Sequence, residues 1–221
     1  MNEEFWFPVQ LSLSVSCIAA VIVFAAGTTL GKLFAAKKFK CKMLLETLLL
    51  MPLVLPPSVI GFLLIVMFGN NSAPGRFIQE LFGHTLLFTP WAAVIAASVV
   101  AFPLMFQSAK AGFLSIDKDL EGAAKVDGAS NWRVFISISV PLAARALVAG
   151  VILSFTRALG EFGATLMFAG NLPGKTQTIP TAIYVAIESG DTKLALNYVL
   201  ISIAIAFIML SLITYFNRQH D

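Results

Sequence analysis

The chain has 221 residues, 58% of them hydrophobic and only 12% charged, with a formal net charge of +3. That is too little charge to coat a water-soluble domain, so the composition excludes an ordinary soluble enzyme and selects an integral membrane protein. The small basic excess is a matter of membrane topology and carries no signal for nucleic acid.

The N-terminal Asn2-Glu3-Glu4 lacks a basic segment and a small-residue cleavage site, so the first apolar stretch is expected to be retained and not removed as a signal peptide. Phe5–Gly31 contains no Asp, Glu, Lys or Arg and predicts a first span near 9–31, since about 20 apolar residues cross a bilayer. Cys17 inside it and Cys41 just after it read as ordinary thiols, with no spacing that suggests a disulfide or a metal. A second charge-free stretch, Thr47–Gly75, predicts a span near 43–67. It holds Pro52, Pro56 and Pro57, which remove backbone donors and bend a helix. The freed carbonyls must face protein or water, which fits a kinked pore-lining helix and equally a bend packed among neighbours.

The segment 68–89 is rich in Gly, Asn and Pro and is read as turns, with a short interfacial helix over Phe77–Phe82. His84 has no second ligand in helical register, so no metal is expected there. A third span is predicted near 90–109. The charged loop 110–142 follows, where Asp117 is placed to cap a short helix over 118–126 and Gly128 to end it in the left-handed conformation. Ala123 and Ala124 keep that helix thin enough for another protein to approach closely. A fourth span near 143–168 carries Arg157 and Glu161 four residues apart on one face. Charges inside a membrane face protein or a water cavity. These two either pair with each other or leave Arg157 to attract an anion, and Gly160, Gly163 and Ala164 narrow the same helix.

Ala169–Thr176 fits the loose spacing of a phosphate-binding loop, but a membrane helix precedes it where a buried strand is needed, so no ATP hydrolysis is expected of this chain. A fifth span is predicted near 194–216. Lys32, Lys37, Lys38, Lys40 and Lys42, then Lys110, Lys118, Lys125, Arg133 and Arg145, and finally Arg218 fall on one side of the five spans. Arg76, Lys175 and Lys193 fall on the other. The positive-inside bias puts the N-terminus outside and the C-terminus in the cytoplasm.

The charged loop reads Glu121-Gly-Ala-Ala-Lys-Val-Asp-Gly128, then nine residues, then Ile138-Ser-Val-Pro141. This resembles the signature by which permeases of ABC importers dock on their ATPase, with Glu121, Ala123, Ala124, Gly128, Ile138 and Pro141 in register. Pro52-Leu-Val-Leu-Pro-Pro57 and Arg157-Ala-Leu-Gly-Glu-Phe-Gly-Ala-Thr165, continuing through Asn171-Leu-Pro-Gly-Lys-Thr-Gln-Thr-Ile-Pro180, are similar to molybdate permeases over nearly the whole chain.

The resemblance implies an all-α integral membrane protein of the type I ABC importer fold, one permease domain over 1–221 with about five spans and a cytoplasmic coupling helix. It implies two such chains working with two ATP-binding subunits and an extracytoplasmic molybdate-binding protein in a bacterial inner membrane, surrounded by lipid. ATP and magnesium belong to the partner ATPase, and no cofactor is expected on this chain. Arg157, Glu161, Gly163, Thr165, Pro56 and Pro57 are the implied pathway residues, with tungstate as a second substrate. A sulfate or thiosulfate permease is the nearest alternative. A secondary transporter is a more distant one, since no internal repeat of the kind such proteins carry is legible.

Overall fold

A computed structural model describes residues 3–37 and 39–218. Asn2 and Lys38, used above for the N-terminus and the charge bias, lie outside the described residues. The described chain is helical, without strands. Helix α1 runs over Glu3–Ala36. The Lys42 ammonium closes its far end by donating to the carbonyls of Phe34 and Lys37, which have no partner inside the helix.

Helices α2 (Lys42–Val54) and α3 (Pro57–Phe68) replace the single kinked span expected over 43–67. They meet at 116°. The cause is local: a residue before proline is driven out of the helical region, and two prolines in succession apply this to both Leu55 and Pro56. Leu55 (ψ 141°) and Pro56 (ψ 137°) are accordingly extended, and Pro57 starts α3 where a missing N–H costs nothing.

Helix α4 (Ala73–Phe82) starts with the Ser72 hydroxyl accepting the Gly75 N–H at 3.0 Å, and leaves Phe77, Leu81 and Phe82 exposed. Helix α5 (Pro90–Leu114) is the central element, with Ala92, Ala93, Ala96, Ala97 and Ala101 wholly buried. It runs to Leu114, so the first residues of the expected 110–142 loop are helical. Small side chains let its backbone approach α1 closely. A Cβ on Gly31 would lie 2.9 Å from the Lys110 backbone nitrogen.

After α5 come α6 (Lys118–Val126), α7 (Asn131–Val134), a π-helical turn (Phe135–Ser139), α8 (Val140–Leu142) and α9 (Ala144–Leu159). The segment Asn131–Leu142 meets α9 at 75°. The expected fourth span does not run through to 168. It breaks at Gly160–Phe162 and resumes as α10 (Gly163–Phe168).

Helix α11 (Ile179–Glu188), between the expected fourth and fifth spans, forms because Thr178 and Thr181 build a reciprocal cap. The Ile179 N–H donates to Ser12 Oγ at 2.7 Å and pins α11 to α1. The last helix, α12, spans Thr192–Arg218, and the Tyr198 hydroxyl donates to the Phe5 carbonyl at 3.1 Å.

Helices α1, α5 and α12 are each long and apolar enough to cross a membrane, and the two bent pairs bring the number of crossings to as many as five. The outward faces of α2, α3 and α12 expose Leu48, Phe62, Phe207 and Ile208, as suits contact with hydrocarbon or another chain.

Candidate functional site

Two groups of residues stand out from the bundle. The first is α6. Asp117 caps it by accepting the Asp119 N–H at 3.0 Å. At its end Gly128 takes φ +87°, the Gly128 N–H reaches the Lys125 carbonyl, and the Ala129 N–H reaches the Ala124 carbonyl, both at 3.0 Å. This paired closure satisfies the last carbonyls and needs a left-handed residue, which glycine supplies without strain.

No residue of α6 is buried. Gly122, Ala123 and Val126 face away from the bundle, with Val126 88% exposed, and Trp132 on α7 stands 69% exposed beside them in sequence. Ala124 is half-buried. Of the other residues expected in this site, Ile138 is half-buried in the π-helical turn and Pro141 is exposed on α8.

Glu121 points the opposite way from that small-residue surface. Its carboxylate is ion-paired with the Lys32 ammonium of α1 and accepts the Ser139 hydroxyl at 2.8 Å. Lys32 also lies 5.2 Å above the centre of the Phe113 ring. Burial pushes the Glu121 carboxyl up, but hydrogen bonds from Lys32 and Ser139 and the charges of Lys32 and Lys125 outweigh it and hold the group below its ordinary value. Lys32 and Ser139 were not among the residues picked from the sequence. Lys32 is 89 positions from Glu121, and nothing in its neighbourhood marks it except its place near the end of an apolar run.

The second group is formed by the two helix breaks. Gly163, the first residue of α10, lies against Pro57, the first residue of α3, so that a Cβ on Gly163 would sit 2.9 Å from the Pro57 Cβ. One turn along, a Cβ on Gly61 would meet Met167 Cβ at 2.8 Å and Ala164 Cα at 3.1 Å. Pro56, Pro57 and Gly163 are therefore brought together, and Thr165 is buried beside them on α10.

Glu161, 2% exposed, sits in the second break. Its Oε1 accepts the Ala164 N–H at 2.9 Å, and its Oε2 lies 2.8 Å from Arg157 Nη1. No guanidinium N–H is aimed at Oε2, so that contact is ionic and not a directed hydrogen bond. Arg157 keeps about a third of its side chain exposed (32%). Of the two readings left open above, the pair with Glu161 is formed.

The stretch with phosphate-loop spacing is a tight turn after α10, in which the Leu172 carbonyl accepts the N–H groups of Lys175, Thr176 and Gln177. No strand precedes it among the described residues. Between this turn, the start of α1 and helices α11 and α12 lies an open cavity of about 900 Å³, lined in part by Glu4, Phe5, Gln177, Ser189 and Asn197.

Comparison with known proteins places this geometry. The family model of the binding-protein-dependent transport system inner membrane component matches residues 13–220. A Bacillus subtilis protein, the putative molybdenum transport system permease protein YvgM, is 57% identical over 208 residues, 94% of this chain and 92% of that one. The molybdenum transport system permease protein ModB of Escherichia coli K12 is 41% identical over 211 residues, 95% and 92% of the two chains. Among solved structures, a chain of the inward-facing MetNI methionine ABC transporter aligns over 99% of both chains with a TM-score of 0.71 at 14% identity. A bacterial ABC transporter that imports alginate aligns over 100% of this chain and 81% of that one, with a TM-score of 0.76 at 14% identity. At that identity the structural likeness speaks for the fold, that of type I ABC importer permeases.

Proposed function

Since this chain belongs to the family of inner-membrane components of binding-protein-dependent transport systems, and within it to the molybdate permeases of ABC importers, we propose that it forms a molybdate path together with a second copy of itself, driven by two copies of a separate ATPase. The chain is a multi-pass inner-membrane transport subunit and not a catalyst. The coupling observation is α6: a helix outside the bundle, without a buried residue, whose exposed face of Gly122, Ala123 and Val126 is thin enough to enter a groove of another protein. Molybdate as the cargo rests on the names of the relatives.

In this reading ATP closes the two ATPases and draws the two copies of α6 together, and hydrolysis releases them. The opposed breaks, α2 to α3 and α9 to α10, are the points where the bundle can flex, because backbone at a break is held by fewer helical hydrogen bonds. Two alternating arrangements, one open to each side, are biased by ATP on one face and by the loaded binding protein on the other.

The binding protein sits over the segments 69–83 and 170–190, which include α4, the turn after α10 and α11. Arg157, whose side chain is partly exposed, lends a positive potential to a path that must pass a dianion. Five crossings put the termini on opposite sides, and the basic residues of 32–42 and 110–145 put the N-terminus outside and the C-terminus in the cytoplasm. ATP and magnesium are held by the ATPase.

The test is molybdate uptake into vesicles holding this chain, its ATPase and the loaded binding protein, with tungstate or excess sulfate as competitor. Uptake that requires ATP, yields to tungstate and resists sulfate is expected. Strong sulfate competition moves the cargo to sulfate. A stable complex with no ATP-dependent uptake of molybdate removes molybdate as the cargo.

A further inference from the structure

Resting on the reading of α6 as the coupling helix, we infer that Lys32 and Ser139 are positioning residues: they fasten Glu121 to the membrane bundle, so that a push on α6 is passed into α1 and α5. Helix α6 buries no side chain. Its cover is light, with only Glu121 and Ala124 partly buried, so little apolar packing is available to transmit a displacement, and packing is what ordinarily makes one element follow another. Among the described residues, Glu121 is also the one side chain of α6 with a hydrogen bond or ion pair to another element. Without that contact α6 is held only by its two chain ends and by light contact with α7 and the π-helical turn.

The other side of the clamp is stiff. Lys32 follows Gly31, where α1 touches the α5 backbone, and four residues earlier a Cβ on Gly27 would sit 3.2 Å from the Phe106 backbone nitrogen. The ammonium also covers Phe113 of α5. Ser139 is wholly buried, and the π-helical turn Phe135–Ser139 is the local distortion of the return segment that carries it. Two separate elements, α1 and the π-helical turn, thus converge on a carboxylate carried by a third, and the carboxylate faces inward, away from the exposed side of α6. Glu121 is a lever joint within this chain.

The experiment uses the reconstituted importer with loaded binding protein and compares Lys32→Met, Lys32→Arg, Ser139→Ala and the exchange Lys32→Glu with Glu121→Lys. Three quantities are read: co-purification of the ATPase, the melting temperature of the solubilised permease, and molybdate moved per ATP hydrolysed. Lys32→Met is expected to keep its ATPase and its fold while molybdate per ATP falls about fivefold or more, the scale of a lost coupling free energy. Ser139→Ala falls less, Lys32→Arg stays near the parent, and the exchange recovers most of the loss.

An unchanged ratio in Lys32→Met overturns the inference. So does an exchanged pair that folds but recovers nothing, or loss of the ATPase from Lys32→Met, which would make Glu121 part of the dock. Melting temperatures that collapse in every variant, Lys32→Arg included, overturn it too. Failure of the unaltered chain to hold an ATPase is a separate result, and it strikes the reading of α6 itself.

Discussion

Gly163 and Pro57 touch at the point where two broken helices face one another: a side chain on Gly163 would begin 2.9 Å from the Pro57 Cβ. No Cβ tolerates a contact that close without a shift in its surroundings. Pro57 belongs to a double proline whose backbone is fixed, so it cannot yield by rotating a side chain. Gly163→Ala therefore drives the two breaks apart. Overpacking of this kind costs about 1–3 kcal/mol, and the expected result is a lower melting temperature with molybdate uptake reduced by more than the loss of folded protein explains. Ala at Gly174, which has nothing within 4 Å but a φ of +71°, is the control for backbone strain without a clash. Uptake equal to the parent in Gly163→Ala would show that the breaks need not stay in contact.

Glu161 does two jobs with two oxygens, one capping α10 and one facing Arg157, and substitutions can separate them. Glu161→Gln keeps an acceptor for the Ala164 N–H and removes the charge. Glu161→Ala removes both and adds the loss of a helix cap, about 1 kcal/mol. Arg157→Gln leaves a buried carboxylate with its main counter-charge gone, and breaking such a pair is strongly destabilising unless water reaches the group. The order of melting temperatures is expected to be parent, then Glu161→Gln, then Glu161→Ala. If Arg157→Gln retains a near-parent melting temperature and its ATPase but loses uptake, Arg157 serves the anion path. If assembly fails as well, its work is to neutralise Glu161.

Local chemistry was legible in the sequence and long-range chemistry was not. The limits of α6 followed from Asp117 and Gly128 because a cap and a left-handed stop act on residues a few positions away. The bend at Pro56 followed for the same reason, although its depth did not. Two consecutive prolines break the helix through 116°, where a kink was expected. The second break, at Gly160–Phe162, was read as a narrow part of a continuous helix, since 146–168 is apolar apart from Arg157 and Glu161 and the glutamate that caps the restarted helix was weighed only as a possible partner of Arg157. Helix α11 was hidden by its flanks: the turn at 170–177 reads as loop, and the Thr178–Thr181 cap uses threonine where glutamate or glutamine is the usual signal. The partner of Glu121 was out of reach, because no periodicity connects positions 32 and 121.

Gly128 gives a test of α6 that spares the bundle. Its φ is +87° and nothing lies within 4 Å of where a Cβ would be, so a substitution there meets backbone strain and no clash. Gly128→Val costs about 1–2 kcal/mol at the end of α6. Gly128→Asn costs less, because asparagine visits the left-handed region more readily. Since α6 buries nothing, the loss is confined to the end of α6, and the melting temperature of the permease should fall by no more than about 2–8 °C in Gly128→Val and by less in Gly128→Asn. Co-purification of the ATPase should weaken in Gly128→Val and survive in Gly128→Asn. A Gly128→Val chain that holds and stimulates its ATPase normally would mean that α6 is not the dock.

The Glu121 clamp also has a defined dependence on pH. Its carboxyl lies below the ordinary value of 4.5 in the folded chain. A group depressed on folding contributes stability that is complete above its unfolded value and is lost as pH falls through the folded one. The clamp is therefore expected to stay closed from neutral pH down to 4.5 and to open only below that. Lys32→Met removes a hydrogen bond and a charge that lower the value and leaves burial, which raises it, so the opening must move to higher pH. Trp132, whose ring centre lies 5.7 Å from that of Phe135 at the start of the π-helical turn, reports on this segment once Trp6 and Trp91 are replaced by Phe. Its emission should be flat down to 4.5 in that background and change at higher pH when Lys32→Met is added. Superimposable titrations would remove Lys32 as the partner of Glu121. A shift to lower pH would mean that the ammonium opposes the ionised carboxylate, contrary to its ion pair with that group, beside the Ser139 hydroxyl that donates to the same carboxylate at 2.8 Å.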